Sequence, residues 1–196
     1  MKKCGLILLA AGASSRMGKP KQLLLYKQQS LLKHSLQIAL NSNAVQTIVV
    51  TGANVQLIKR ELIESDAYSV YNSEWQEGIA SSIRCGLSTL IKVVPDVDSA
   101  LFMVCDQPYI TTELLNNLMA KSSMNDSIAA SGYDNTLGTP AVFPEKYFSE
   151  LLILSGDEGA KNVLRQYAHH AAVIPFNDGN IDIDTPIDYD SLPDKF

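Results

Sequence analysis

Leu6-Ile7-Leu8-Leu9-Ala10-Ala11-Gly12-Ala13-Ser14-Ser15-Arg16-Met17-Gly18-Lys19-Pro20-Lys21-Gln22-Leu23-Leu24 is the stretch on which the reading of this chain turns. It opens as an unbroken apolar run, as expected of a strand covered on both faces. From Ala10 to Ser15 almost nothing stands above the backbone, so a ligand can come close to main-chain N–H groups. Arg16, Lys19 and Lys21 follow at once. A side-chain-poor loop after a buried strand, followed by clustered cations, suits a polyphosphate: amides cradle it and cations neutralise it. Spacing excludes two familiar phosphate loops. Five residues separate Gly12 from Gly18, one more than a P-loop allows, and Pro20 follows Lys19. No G-x-G-x-x-G is present, which removes the dinucleotide fingerprint.

Working outward, strands are expected over residues 5–10, 46–51, 68–71, 99–104, 127–130, 139–143, 172–174 and 180–184. Helices are expected from the Ser30 cap to about 40, over 54–63, 81–92, from Thr111 or Thr112 onward, and over 146–154 and 160–167. Residues 133–137 read as a loop. Thr185-Pro186-Ile187-Asp188 carries a cap, a first-turn proline and an acid three residues on, so it starts a last short helix. Strands alternating with helices predict an α/β fold, a Rossmann-like three-layer α/β/α arrangement with a mostly parallel central sheet. With 196 residues, one domain over 1–196 is expected. In such sheets ligands bind beyond the carboxyl ends of the strands, which gathers the segments after Leu9, Val50, Val70 and Val104, and that near Asp182, on one edge.

Hydrophobic residues make up 46% and charged residues 19%, as in an ordinary globular chain. A net charge of −5 argues against nucleic acid as a partner, but a local cluster of cations can still hold a nucleotide. Cys4, Cys85 and Cys105 show no CxxC spacing and read as small buried residues in a reducing compartment. Arg16 and the small residues before it end the first apolar run too early for a secretory signal. No apolar stretch approaches the ~20 residues of a membrane span. A cytoplasmic enzyme without a membrane partner is the expectation.

Asp106 follows the strand residues Leu101-Phe102-Met103-Val104, and Pro108 stops the chain from running smoothly into a helix. A carboxylate there reads as a ligand for Mg²⁺, which is hard, prefers oxygen and binds one or two carboxylates plus phosphate oxygens. In Ile181-Asp182-Ile183-Asp184, period-two alternation places Asp182 and Asp184 on one face, where two like charges invite a cation. Gly78 allows an irregular entry to a helix whose first turn carries Ser81 and Ser82, a place for an anion or a base edge. His34, His169 and His170 have no metal spacing, and Trp75 reads as a packing anchor.

The segment from Leu9 to Lys21 resembles the signature loop of the molybdenum cofactor nucleotidyltransferases, L-A-A-G/G-G-x-S-x-R-M-G-x-x-K, at every fixed position. Cys105-Asp106-Gln107-Pro108 resembles their C-D-x-P metal motif, and Asp182-Ile183-Asp184-Thr185-Pro186 their D/N-x-D/N-T-P motif. The stretch Gly78 to Leu87 is similar to G-x-x-x-S-x-R-x-G-L. Gly138-Thr139-Pro140 resembles an acceptor-side segment, with Thr139 where relatives often carry His. Gly156-Asp157-Glu158-Gly159-Ala160-Lys161 resembles G-D-x-G-A-R, with Lys161 for Arg, a cation without the bidentate fork.

The resemblance implies a nucleotide-diphospho-sugar transferase-like fold and transfer of a nucleotidyl group from an NTP, with loss of pyrophosphate. Arg16, Lys21 and Asp106 are then catalytic. Leu9, Ala10, Ala11, Gly12, Ser14, Ser15, Arg16, Gly18, Lys21, Gly78, Ser81 and Ser82 bind the nucleotide. Mg²⁺ sits on Asp106 and on Asp182, with Asp184 as competitor. Gly138, Thr139, Pro140, Asp157 and Lys161 face the acceptor. Leu9-Ala10-Ala11-Gly12 matches the cytidylyltransferase form of the loop, so CTP and a molybdopterin-type acceptor are the implied small-molecule substrates. Transient contact with a molybdoenzyme or cofactor chaperone is implied as well. The alternatives are GTP with the same or another phosphorylated acceptor, or a carrier that binds without turnover.

Overall fold

The structure, a computed structural model, describes residues 2–193; residues 1 and 194–196 of the expected domain lie outside that range. The opening apolar run forms β1 (Cys4–Ala10), buried at every position. The chain continues through a tight helical turn at Lys21–Leu23 into the ribbon of β2 (Leu25–Tyr26) and β3 (Gln29–Ser30). α1 (Leu31–Leu40), β4 (Gln46–Thr51), α2 (Val55–Glu61), β5 (Tyr68–Tyr71), α3 (Ile79–Val93), β6 (Ser99–Val104) and α4 (Thr112–Asn125) follow. Then come β7 (Ala129–Tyr133), β8 (Thr136–Pro144), α5 (Phe148–Leu152), α6 (Lys161–Gln166), β9 (Ala172–Pro175) and α7 (Pro186–Asp190).

The main sheet has the order β5-β4-β1-β6-β8-β7-β9. Its first four strands are mutually parallel, β8 runs antiparallel to both β6 and β7, and β9 is parallel to β7. Alternation along β1 explains the three layers. Leu6, Leu8 and Ala10 join the core shared with α1 and α4, while Ile7 and Leu9 join the core beneath α3, α5 and α6. Gly86 lets α3 lie close on the sheet: a Cβ there would stand 2.6 Å from Ile7 and 2.8 Å from Val50. A third, smaller core gathers Met17, Leu24, Tyr26, Leu31, Ile183 and Leu192.

The expected caps are present. The Ser30 and Thr111 side chains accept from Lys33 and Leu114, and Thr185 forms a full capping box with Asp188. Three expectations are corrected. Residues 180–184 form no strand. Ile183 is fully buried in the third core and its N–H donates to the Asp106 carbonyl at 3.0 Å, whereas Ile181 is 38% exposed. The alternation therefore records one docked isoleucine and not a sheet face. The loop over 133–137 contracts to a two-residue hairpin turn, because Asp134 and Asn135 both adopt left-handed backbone (φ 47° and 58°). Cys85 is half-buried on α3, unlike the buried Cys4 and Cys105; all three are free thiols.

Candidate active site

The segment leaving β1 is anchored at both ends. Met17 bonds back to the Ser14 carbonyl at 3.0 Å and sinks its side chain into the third core. Gln22, only 1% exposed, donates through Nε2 to the carbonyls of Ala10 (3.1 Å) and Gly12 (2.8 Å). The Ser14 hydroxyl donates to Gln22 Oε1 at 3.3 Å and accepts from the Lys21 N–H at 3.0 Å. The Ala11 carbonyl accepts from Ala53. Carbonyl dipoles that would repel a phosphate are thus occupied within the protein.

Lys21, brought round by this turn, points at the acidic side. Its ammonium is bonded to Asp106 Oδ2 and, at 2.9 Å, to Asp184 Oδ1. Arg16 holds the other oxygen of Asp184 at 2.8 Å. Burial works against the charge of Lys21, but Asp106 and then Asp184 outweigh it and push its pKa above the usual lysine value. Burial likewise works against ionised Asp184, and the bonds from Lys21 and Arg16 outweigh it, leaving its pKa below the ordinary value. Asp182 behaves in the opposite way: burial first, then the charges of Asp106 and Asp184, raise its pKa to about 6.

Two observations fit a hard divalent cation. Asp106 Oδ1 is buried and, among the described residues, has no hydrogen-bond partner. Three carboxylates also face two cations, leaving negative charge over. No three His, Cys, Asp or Glu side chains among the described residues assemble a metal group by themselves.

Between the cradle and Asp106 lies a cleft of about 470 Å³. Of the residues the sequence nominates, Leu9, Ala10, Ala11, Gly12 and Ser15 form one wall, with Lys21 and Asp106 beside them. Gly78, Ser82 and Asp157 stand in the walls as well. Trp75 both lines the cleft and packs against the core, so the packing reading covers half its role. Ser14, Arg16, Gly18, Ser81, Asp182 and Asp184 are not wall residues. Ser14 ties the loop internally, Gly18 turns it with φ 70°, and Arg16 sits exposed on Asp184. Lys19, the third cation, stacks over the Tyr189 ring at 5.5 Å.

Asn72 organises the start of α3, donating to Ser81 Oγ (2.8 Å) and Ser82 Oγ (3.1 Å), while Ser81 donates to the Gly78 carbonyl at 2.9 Å. Arg84 grips Glu77 with both terminal nitrogens and donates to the Leu154 carbonyl. Glu77 Oε1 accepts from Gly156 N–H at 3.2 Å, and Ala80 N–H donates to the Gly156 carbonyl at 3.2 Å. The Gly156–Asp157 turn is thereby bolted to the entry of α3, which sets Asp157 at the cleft. Lys161 opens α6 as an exposed residue away from the walls. Gly138, Thr139 and Pro140 lie on β8, outside the cleft walls, and Thr139 reaches the site by donating to Gln107 Oε1 at 3.3 Å. Gln22, Asn72 and Gln107 carry no sequence signal beyond being polar beside apolar or turn residues.

Comparison with known proteins places these features. Residues 6–172 match the family described as the MobA-like NTP transferase domain. The chain is 28% identical over 198 residues to the purine catabolism protein PucB of Bacillus subtilis, covering 95% of this chain and 94% of that protein. It is 22% identical over 191 residues to the molybdenum cofactor cytidylyltransferase of Escherichia coli, covering 97% and 95%. The crystal structure of Rv0371c from Mycobacterium tuberculosis superposes with TM-score 0.84 at 27% identity over 96% of each chain. The same protein is also known as a complex with manganese, at TM-score 0.81 and 24% identity, over 97% of this chain and 100% of that one. The matched span begins inside β1 and ends on the first residue of β9, so it takes in nearly the whole sheet and the cleft above it; the chain belongs to the MobA-like NTP transferase family.

Proposed function

We propose that this protein transfers CMP from CTP to the terminal phosphate of a molybdopterin-type acceptor, the molybdenum cofactor, and releases pyrophosphate. The observation that carries the reading is Lys21 held between Asp106 and Asp184 beside a loop bare enough for a triphosphate. The triphosphate lies along Ala10 to Ser15, where backbone amides meet its oxygens. Lys21 and Arg16 neutralise the charge that grows on the α-phosphate and the leaving group. An acceptor phosphate oxygen attacks the α-phosphorus, the bond from it to the β-phosphate oxygen breaks, and pyrophosphate departs. An ionised phosphate needs no general base, so positioning does most of the work. Asp106 and Asp182 would hold a Mg²⁺, which supplies further charge neutralisation at the phosphate oxygens. Ala11 places a methyl group where guanylyltransferase relatives carry hydrogen, narrowing the base site toward a pyrimidine. The reading carries with it a single domain at work in the cytoplasm, passing its product to a molybdoenzyme or cofactor chaperone.

Pyrophosphate release with each triphosphate, Mg²⁺ and molybdenum cofactor tests it. CTP is expected to outrun GTP in kcat/KM, and Asp106→Asn to lose turnover while still folded. A preference for GTP would replace the base assignment. Tight nucleotide binding with no release from any triphosphate would replace the enzyme by a carrier.

A further inference from the structure

Gln107 takes no part in the scheme above, yet it is placed to control it. It follows Asp106 directly and is only 2% exposed. Its Nε2 donates to the Gly179 carbonyl at 2.9 Å, which leaves Oε1 to accept from the Thr139 hydroxyl at 3.3 Å. Gly179 and Asp182 belong to the irregular loop over 177–185, which has no strand ladder to hold it. Ile183 pins that loop from one side through its buried side chain and its bond to the Asp106 carbonyl. Gln107 pins it from the other side, at Gly179, so the two anchors bracket Asp182.

We propose that Gln107 is the positioning residue for Asp182, and that through Thr139 it links this carboxylate to the acceptor-side strand β8. The proposal rests on the nucleotidyltransferase reading. A carboxylate on an unladdered loop must be held in place before it can serve as a ligand, and a partner behind it commonly sets metal affinity. One buried amide that contacts both the carboxylate's loop and β8 makes metal affinity answer to the state of β8.

The test is Mn²⁺ affinity of the full chain, followed by the EPR signal of the ion, with CTP present and no acceptor. Gln107→Met keeps much of the side-chain shape and removes both hydrogen-bonding groups. It is expected to bind Mn²⁺ about tenfold or more weakly than the wild type. Thr139→Val, which removes a single donor to Gln107, is expected to shift affinity in the same direction by less. A folded Gln107→Met protein with wild-type Mn²⁺ affinity overturns the proposal. If that variant does not fold, unchanged affinity in Thr139→Val overturns it instead. Asp106→Asn separates the two layers of inference. Wild-type affinity in Asp106→Asn overturns the metal-dependent reading and the role of Gln107 with it. Loss in Asp106→Asn alongside full affinity in Gln107→Met overturns the role of Gln107 alone.

Discussion

Lys21 donates to one oxygen of Asp106, and the other oxygen of that carboxylate is buried with no hydrogen-bond partner among the described residues. The ammonium and a divalent cation therefore compete for one carboxylate. An ammonium is a compact point charge, so it can leave Asp106 for a phosphate once a triphosphate arrives. Lys21→Met should cut the rate of pyrophosphate release by about 10²–10³-fold, the usual cost of losing one donor to transition-state charge. The same variant should bind Mn²⁺ more tightly than the wild type when no nucleotide is present, because the competing cation is gone. Unchanged turnover would remove Lys21 from the chemistry.

Asp182 and Asp184 differ in what already neutralises them. Asp184 is bonded to Lys21 and Arg16, while Asp182 is held among other carboxylates with its pKa raised to about 6. Asp182→Asn should raise the Mg²⁺ concentration needed for half-maximal activity. Asp184→Asn should instead raise KM for the triphosphate, since Arg16 and Lys21 lose the carboxylate that holds them in place. Metal titrations of the two variants decide the matter, and the opposite pattern would exchange their roles.

Gly78 has φ 120°, and a Cβ on it would lie 2.4 Å from both the Gly156 carbonyl and Asp157 Oδ1. Gly78→Ala should cost about 1–3 kcal/mol of stability, as expected for a side chain forced into such backbone. Urea unfolding measures it. A variant as stable as the wild type would show that the Gly156–Asp157 turn yields without cost.

Ile183→Ala should destabilise the protein by about 2–5 kcal/mol, the range for emptying a fully buried aliphatic site. It should also raise the metal requirement, because Ile183 anchors the loop that carries both aspartates. A variant with normal stability would mean that the third core does not hold this loop.

His34 is half-buried, edge-on to Tyr26 at 5.0 Å, with Nε2 at 3.0 Å from the Pro108 carbonyl. Burial lowers its pKa from 6.5, and Lys27 adds to the effect, outweighing the bond to Pro108. A depressed value means the unfolded chain takes up the proton more readily than the folded one. The stability held by neutral His34 is therefore present above pH 6.5 and is lost as pH falls through the depressed folded value. Between pH 7.5 and pH 5, the urea midpoint should fall less in His34→Gln than in the wild type. Equal slopes would show that His34 does not contribute.

Much of the fold is local and was readable for that reason. An apolar run bounded by small residues makes β1, and the caps at Ser30, Thr111 and Thr185 depend on neighbours three residues away. Asp106 at the end of β6 follows from strand length and the proline after it. Periodicity misled at 180–184, because one deeply buried isoleucine and a backbone bond produce the same alternation as a strand.

The amino-acid sequence by itself determined the parallel core, the bare loop and the carboxylate at its edge, since backbone sterics and hydrophobic period act over a few residues. Only the tertiary structure decided which cation meets which acid. Lys21 and Asp184 stand 163 residues apart and Gln107 and Gly179 stand 72 apart, so their pairing has no local trace. It likewise decided that Arg84 braces two loops while Lys19 lies over an aromatic ring. A charged or amide group near a core takes whatever partner packing brings within reach, and packing is a property of the whole chain.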